Sequence, residues 1–407
     1  MSNGGHQLDL NRLLKAAVDN GASDVHLKPG KVPVFRIDGS LLELVKHPPL
    51  TANDMSATAK MVMDERQIGI YKKKHEVDLA YSVPGLGRFR VNVFQQRGTI
   101  AMAFRVIPFQ VRPFSELFMP PVLEKISMER RGMVLVTGAT GSGKSTTLAA
   151  MIDYINNRRT CHIVTIEDPI EFLLRDKKSL ISQREIGFDT EDFAGALRSA
   201  MRQDPDVILV GEMRDLETIN TALMAAETGH LVLSTLHTTD VMETINRVLS
   251  FYPAHQQDQV RHQLSAVLKA IVSQRLVARA DGGGRVPAVE VLVSNARVRD
   301  CIRDFRKTAD IPEIMKVSFT TYGMQSFDMS LLGLVQRKLV TIDEALEQAS
   351  NPGDFALRLK GVSGSDEATY DEYKDTDAKK KKGGGEGEGG KGGSGAGFDD
   401  LIERFSD

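Results

Sequence analysis

The stretch GATGSGKS, Gly138 to Ser145, meets the pattern G-x-x-x-x-G-K-S at every constrained position. No other feature of the chain restricts its fold so tightly. Glycines at 138, 141 and 143 free the backbone to turn successive N–H groups toward one anion. The pattern carries that chemistry only when a strand leads in and a helix leads out, because the helix N-terminus adds its own donors. Both flanks are legible: GMVLV precedes the loop and TTLAAMIDYINN follows it. The segment is therefore read as a phosphate loop. Its nucleotide-binding residues are Gly138, Ala139, Thr140, Gly141, Ser142, Gly143, Lys144, Ser145 and Thr146. Lys144 is expected on the β- and γ-phosphates and Ser145 on Mg2+, which makes ATP and Mg2+ the expected cofactors.

Such a loop implies a parallel sheet around it. From 122 to 362, helical patterns alternate with the short apolar runs GMVLVTGA, CHIVTIEDP, PDVILVGE and HLVLSTLH, which read as buried parallel strands. Each run ends in polar or glycine residues, and ligands of open parallel sheets bind at those carboxyl ends. Helices are also expected over 256–276 (QQDQVRHQLSAVLKAIVSQRL) and 341–350 (TIDEALEQAS).

Residues 1–112 read as a separate α+β domain. Leu10, Leu13, Leu14, Ala17 and Val18 recur at helical spacing, with Asp9 or Asn11 as cap and Gly21 as stop. A helical stretch falls near 52–73, and DVHL, VPVFRIDG, VDLAYSV and GRFRVNVFQQRG read as strands. Residues 113–121, with Pro113, Pro120 and Pro121, read as an interdomain linker. Residues 363–397 hold a run in which ten of fifteen residues are glycine, and a disordered linker is expected there. In 398–407, Phe398, Leu401, Ile402 and Phe405 share one helical face, which makes FDDLIERFSD a candidate docking peptide.

Charge and composition remove some function classes. The net charge of −2 lends a nucleic-acid partner no support, and with no Trp and 6% aromatics the stacking surfaces of a strand-translocating ATPase are not evident. Cys161 and Cys301 are too few for a four-thiolate zinc site, and a reducing, cytosolic compartment fits them best. No run approaches the ~18 apolar residues of a membrane span, and the first residues lack the pattern of a signal peptide.

Acidic groups end two of the apolar runs. DVILVGE places Glu212 at a strand end, where a carboxylate binds Mg2+ through water or orients the attacking water. TIEDPIEF supplies Glu167, Asp168 and Glu171, and Pro169 turns the chain so that Glu171 is offset from the strand. His230 and His237 bracket LVLSTL. Residues seven apart on one strand face opposite sides, so the two are not a metal-ligand pair. A hydrogen-bonded core role suits a lone histidine. His237, however, falls at the phosphate-loop edge, where a neutral imidazole reports on phosphate, water or carboxylate.

Taken in order, GATGSGKST, TIEDPIEF, ILVGEMRD and AAETGHLVLSTLHT resemble the motifs of the type II secretion and type IV pilus ATPases, with ASDVHL, RIDG and GMQSFDMSL extending the likeness over about 8–360. Within that superfamily the chain is most similar to the pilus retraction ATPases. ARVRDCIRD keeps Arg299, Ile302 and Arg303 of a helix those proteins share and departs at Cys301 and Asp304. Extension ATPases carry a four-cysteine zinc site that two cysteines cannot build.

The resemblance implies a PAS-like α+β N-terminal domain followed by a RecA-like ATPase domain, assembled as a homohexamer with nucleotide between the domains. It implies that Glu171 and Glu212 are catalytic carboxylates, with Glu167 beside them, and that His230 and His237 sense nucleotide. GRFRVNVFQQRGTIAMAFRVIP matches the family's arginine-bearing segment, which assigns Arg90 and Arg105 to the nucleotide and Arg97 as a further matching arginine. The implied activity is ATP-driven pilus retraction through an inner-membrane platform protein, by a cytoplasmic motor peripheral at that membrane. The alternative is an accessory ATPase acting through a paralogous retraction motor.

Overall fold

The computed structural model describes residues 8–360, which form two compact units dividing between Phe109 and Gln110. The readings made for 363–397 and for the docking peptide at 398–407 lie outside the described residues.

The first unit is built on six strands: Asp24–Leu27 (β1), Val34–Ile37 (β2), Ser40–Glu43 (β3), Glu76–Val83 (β4), Gly87–Gln96 (β5) and Thr99–Ile107 (β6). They form one antiparallel sheet in the order β3-β2-β1-β6-β5-β4. Helices Leu10–Asp19 (α1), Ala52–Val62 (α2) and Glu65–Lys74 (α3) accompany it. Asp9 caps α1 by accepting from the Arg12 N–H at 3.0 Å. The apolar stripe of α1, Leu10, Leu13, Leu14 and Ala17, is buried with Met55 and Ala59 of α2 and with Val25, Phe35, Phe89, Val91 and Phe104 of the sheet. Alternation along each strand puts Asp24, Arg36, Arg90 and Arg105 on the opposite face.

The stretch GRFRVNVFQQRG, read as a strand through Gly98, is β5 and the turn of a hairpin that β6 completes. Arg97 (φ +47°) and Gly98 (φ +76°) form its two-residue turn. Two consecutive positive φ values match the right-handed twist of paired strands, and the glycine tolerates its value without strain.

The second unit carries a seven-stranded sheet: Gly132–Thr137 (β7), His162–Glu167 (β8), Leu180–Glu185 (β9), Val207–Val210 (β10), Leu231–Leu236 (β11), Leu268–Ala278 (β12) and Arg285–Val293 (β13). The order is β13-β12-β7-β11-β10-β8-β9, parallel throughout except for the antiparallel β12–β13 pair. Helices Val122–Ser127 (α4), Lys144–Asn156 (α5), Phe193–Ala200 (α6), Leu216–Glu227 (α7), Val241–Ser250 (α8), Ala254–Val267 (α9) and Ala296–Arg303 (α10) cover both faces. One apolar layer joins alternate strand residues to α6–α10, and the other joins the intervening residues to α4 and α5. The four runs read as parallel strands are the four central strands β7, β8, β10 and β11, and all but the terminal residues of β8 are buried.

Two local readings need correction. The helix expected over 256–276 ends at Val267, and 268–276 continues as β12. Residues 270–274 are buried on both faces, so the stretch AIVSQRL lacks the period that separates strand from helix and carried no signal against continuing the helix. In the stretch read as linker, Phe114, Leu117 and Met119 are buried in the layer that includes α4 and α5.

Candidate active site

The phosphate loop joins β7 to α5, with Gly143 as the helix N-cap at φ +94°. Gly138 has φ +142°, and a Cβ there would stand 2.5 Å from the Gln274 carbonyl oxygen and 2.5 Å from Ser142 Oγ. The close approach of β12 thus requires glycine at the first loop position. Lys144 is buried, and its Nζ donates to the Gly138 oxygen at 2.8 Å and the Ala139 oxygen at 3.0 Å. Its ammonium therefore lies folded over the loop's own carbonyls. Burial lowers its pKa below the ordinary lysine value, and the Glu212 carboxylate opposes that shift. Ser142 Oγ is buried without a hydrogen-bond partner, an unmet polar group within an anion-binding loop.

Glu212 stands two residues past the end of β10. Its Oε1 meets His237 Nε2 at 3.0 Å, and its Oε2 accepts from Arg214 Nε at 2.8 Å. Arg214 Nη1 also lies 3.8 Å from Asp168 Oδ2. Strand ends of β8, β10 and β11 are thereby linked by one chain of polar side chains, Asp168–Arg214–Glu212–His237. Parallel pairing brings these ends to one edge, since Ile166 pairs with Val210 and Leu236 with Thr137.

Glu167 and Glu171 behave differently from each other. Glu167 Oε1 accepts from Thr165 Oγ1 at 2.6 Å and Gln183 Nε2 at 3.1 Å. Burial raises its carboxyl pKa, while those bonds and the Glu171 N–H pull the other way. Its observed partners are protein groups that shape the turn. Glu171 is exposed just beyond Asp168–Pro169. Ser145, also exposed, sits in the first turn of α5.

His230 lies at the other end of β11. Its Nδ1 meets the Ala225 oxygen at 2.9 Å and Thr228 Oγ1 at 3.2 Å, and its carbonyl accepts from Gly132. At about 3.3 Å per residue, a six-residue strand keeps the two histidines roughly 20 Å apart. The structure brings His237 to Glu212 and leaves His230 on its local backbone.

The three arginines belong to the first unit. Arg90 and Arg105 are directly paired across β5 and β6. Arg105 Nε donates to the buried Asp24 Oδ1 at 2.9 Å, and Arg36 lies 4.0 Å from Asp24 Oδ2. Cross-strand neighbours of like charge repel, and here Asp24 stands beside the arginine row. Arg97 is at the hairpin tip.

Two site-edge residues escaped sequence reasoning. Arg214 follows Glu212 by two positions, and its charge beside a strand-end carboxylate was the available signal. Gln274, which donates to Thr147 Oγ1 at 2.9 Å, was hidden inside the segment misread as helix.

Among the described residues no group of three or more His, Cys, Asp or Glu side chains gathers to hold a metal ion. Mg2+ that arrives with nucleotide needs only one or two protein oxygens beside the phosphates. The Ser145 hydroxyl and the Glu212 carboxylate have the right chemistry for that. No helix among the described residues is long and apolar enough to cross a membrane.

A sequence profile for the type II/IV secretion system protein family matches residues 4–325. The chain belongs to that family. It is 46% identical over 348 residues to the type IV pilus retraction ATPase PilT of Pseudomonas aeruginosa, covering 86% of this chain and all of that one. With the type IV pilus ATPase PilU of the same organism it shares 40% over 359 residues, 88% of this chain and 93% of PilU. A solved structure described as the pilus retraction motor PilT with bound ADP superposes with a TM-score of 0.77 at 45% identity, covering 85% of this chain and 98% of that one. The two-sheet α/β architecture is therefore that of the secretion ATPases, as the motif order implied.

Proposed function

We propose that this chain is an ATP-hydrolysing motor, a homohexamer that powers type IV pilus retraction and with it twitching motility. The observation that carries the reading is an intact phosphate loop beside the Glu212–His237 pair, in a chain alike to a retraction ATPase over that protein's full length. The division of labour is a PAS-like domain at 1–112 and a RecA-like ATPase domain at 122–362.

In the reaction, backbone N–H groups of 138–146 cradle the phosphates and Lys144 Nζ leaves the Gly138 and Ala139 carbonyls for the β- and γ-oxygens. Glu212 orients the attacking water, held by His237 on one oxygen and Arg214 on the other. Glu171 is a second carboxylate near the γ-phosphate, and Glu167 fixes the turn that presents it. Mg2+ supplies charge neutralisation when bound, through Ser145 and Glu212. Arg90 and Arg105 complete the site with positive charge at the transferring phosphoryl group, and Arg97 assists from the hairpin tip. His230 couples nucleotide state to ring motion. The partner is an inner-membrane platform protein of the pilus machine, reached from the cytoplasmic side.

A clean deletion scored by electron microscopy tests this. Excess unretracted pili are expected, and bare cells would overturn retraction. The 40% identity to PilU supports a second reading, an accessory ATPase acting through a paralogous motor. Steady-state ATPase of the purified protein separates the two, because an autonomous motor turns over ATP unaided.

A further inference from the structure

The same edge of the second unit holds a half-buried carboxylate with no part in that scheme. Glu290 lies in β13 between Val289 and Val291, both buried. Its Oε2 accepts from the Val241 N–H at 2.8 Å. Val241 is the first residue of α8, so the carboxylate stands at a helix N-terminus, where the aligned peptide dipoles favour an anion. Burial works against the charge and pushes the Glu290 carboxyl up to about 7. The Val241 N–H and Arg275 of β12 oppose that rise, whereas Asp240 at the cap of α8 and Asp328 of helix Phe327–Gln336 add to it.

Only three residues separate His237 from α8, and each is tied down. Thr238 Oγ1 lies 2.6 Å from Thr244 Oγ1. The Thr239 N–H donates to Glu243 Oε2 at 2.7 Å, and the Asp240 carboxylate caps the helix by accepting from the Glu243 N–H at 2.8 Å. Thr244 Oγ1 is also 3.4 Å from the hydroxyl of Thr137, the last residue of β7 before the phosphate loop. The first turn of α8 therefore touches the strand of the phosphate loop, and the tied segment before it leads back to His237. Glu290 is its anchor from β13.

We propose that Glu290 is a positioning residue for ATP hydrolysis: its carboxylate fixes the first turn of α8 and thereby the place where His237 meets Glu212. The proposal rests on the reading of Glu212 as the residue that orients water. Ionised, Glu290 grips the Val241 N–H; protonated, it is a weaker acceptor and the His237 connection loosens.

The test is steady-state ATPase of the full-length protein, with kcat and KM measured across the neutral range for wild type, Glu290→Gln and Glu212→Ala. Wild-type kcat is expected to fall as pH drops through about 7. Glu290→Gln is expected to have a several-fold lower kcat at alkaline pH, an unchanged KM for ATP, and no such fall. A limb present in wild type and missing from Glu290→Gln belongs to Glu290. The glutamine keeps an acceptor for Val241, so the test survives even if Glu290→Ala does not fold. Wild-type kcat and an unaltered profile in Glu290→Gln would overturn the proposal, as would a change confined to KM. Turnover by Glu212→Ala would instead overturn the hydrolytic reading on which it rests.

Discussion

His230 and His237 flank the same six-residue strand, yet their surroundings have little in common. At the amino end of β11, His230 turns back onto the Ala225 carbonyl and Thr228. At the carboxyl end, His237 meets the carboxylate of Glu212, which lies past a different strand. The polarity of the parallel sheet makes the difference. Carboxyl ends of β7, β8, β10 and β11 converge on one edge, and there the chain turns into loops whose side chains face one another. At the amino end the imidazole is used up locally. Two histidines in one motif thus have different partners, and the proposed mechanism gives them different work: His237 on Glu212, His230 in coupling.

The phosphate loop gives the largest expected effect and sets the scale for that contrast. Lys144→Ala removes the cation that reaches the phosphates and should weaken ATP binding itself, with turnover down on the order of a thousandfold. Isothermal titration with ATP and a turnover assay check it. Near-normal affinity would mean that the loop binds without its lysine.

Glu290→Gln should change how stability responds to pH. A carboxyl held near 7 in the folded chain, against an ordinary 4.5, resists ionisation. Wild type therefore loses stability as pH rises from about 4.5 to about 7, by roughly 3 kcal/mol in all. The glutamine variant does not titrate there and should be the more stable protein above about pH 7, converging with wild type below about pH 4.5. Chemical unfolding at the two pH values decides it, and parallel curves would show that Glu290 ionises freely.

His237→Ala frees one oxygen of Glu212 and should lower kcat roughly tenfold with little change in ATP affinity. His230→Ala should change ATP affinity by less than about twofold, because its ring contacts only the nearby Ala225 carbonyl and Thr228 hydroxyl. Its effect should appear in pilus retraction, scored in the same variant. Equal losses of turnover in the two variants would erase the difference between the strand ends, and unimpaired retraction by His230→Ala would remove the coupling role.

Sequence and structure agree where a motif carries its own geometry. GATGSGKS demanded a strand before it and a helix after it, and β7 and α5 are there. The apolar runs ending at Glu167, Glu212 and His237 became neighbouring strands because parallel pairing aligns such ends. What was lost lay where local pattern is ambiguous. The run of β12 is buried on both faces over 270–274 and reads as a continuation of α9, which concealed Gln274. The 87–108 hairpin hinged on Arg97–Gly98, a weak turn signal next to Asn-Gly or Asp-Gly. Glu290 belongs to no motif at all, and only the fold reveals that β13 delivers it to the first turn of α8.

The central claim is that Glu212 serves hydrolysis and not nucleotide binding. ATP affinity and steady-state turnover measured on one preparation of Glu212→Ala test it most directly. Affinity within about twofold of wild type, with kcat lower by on the order of 100-fold or more, is the predicted result. Wild-type turnover with tight binding would contradict it.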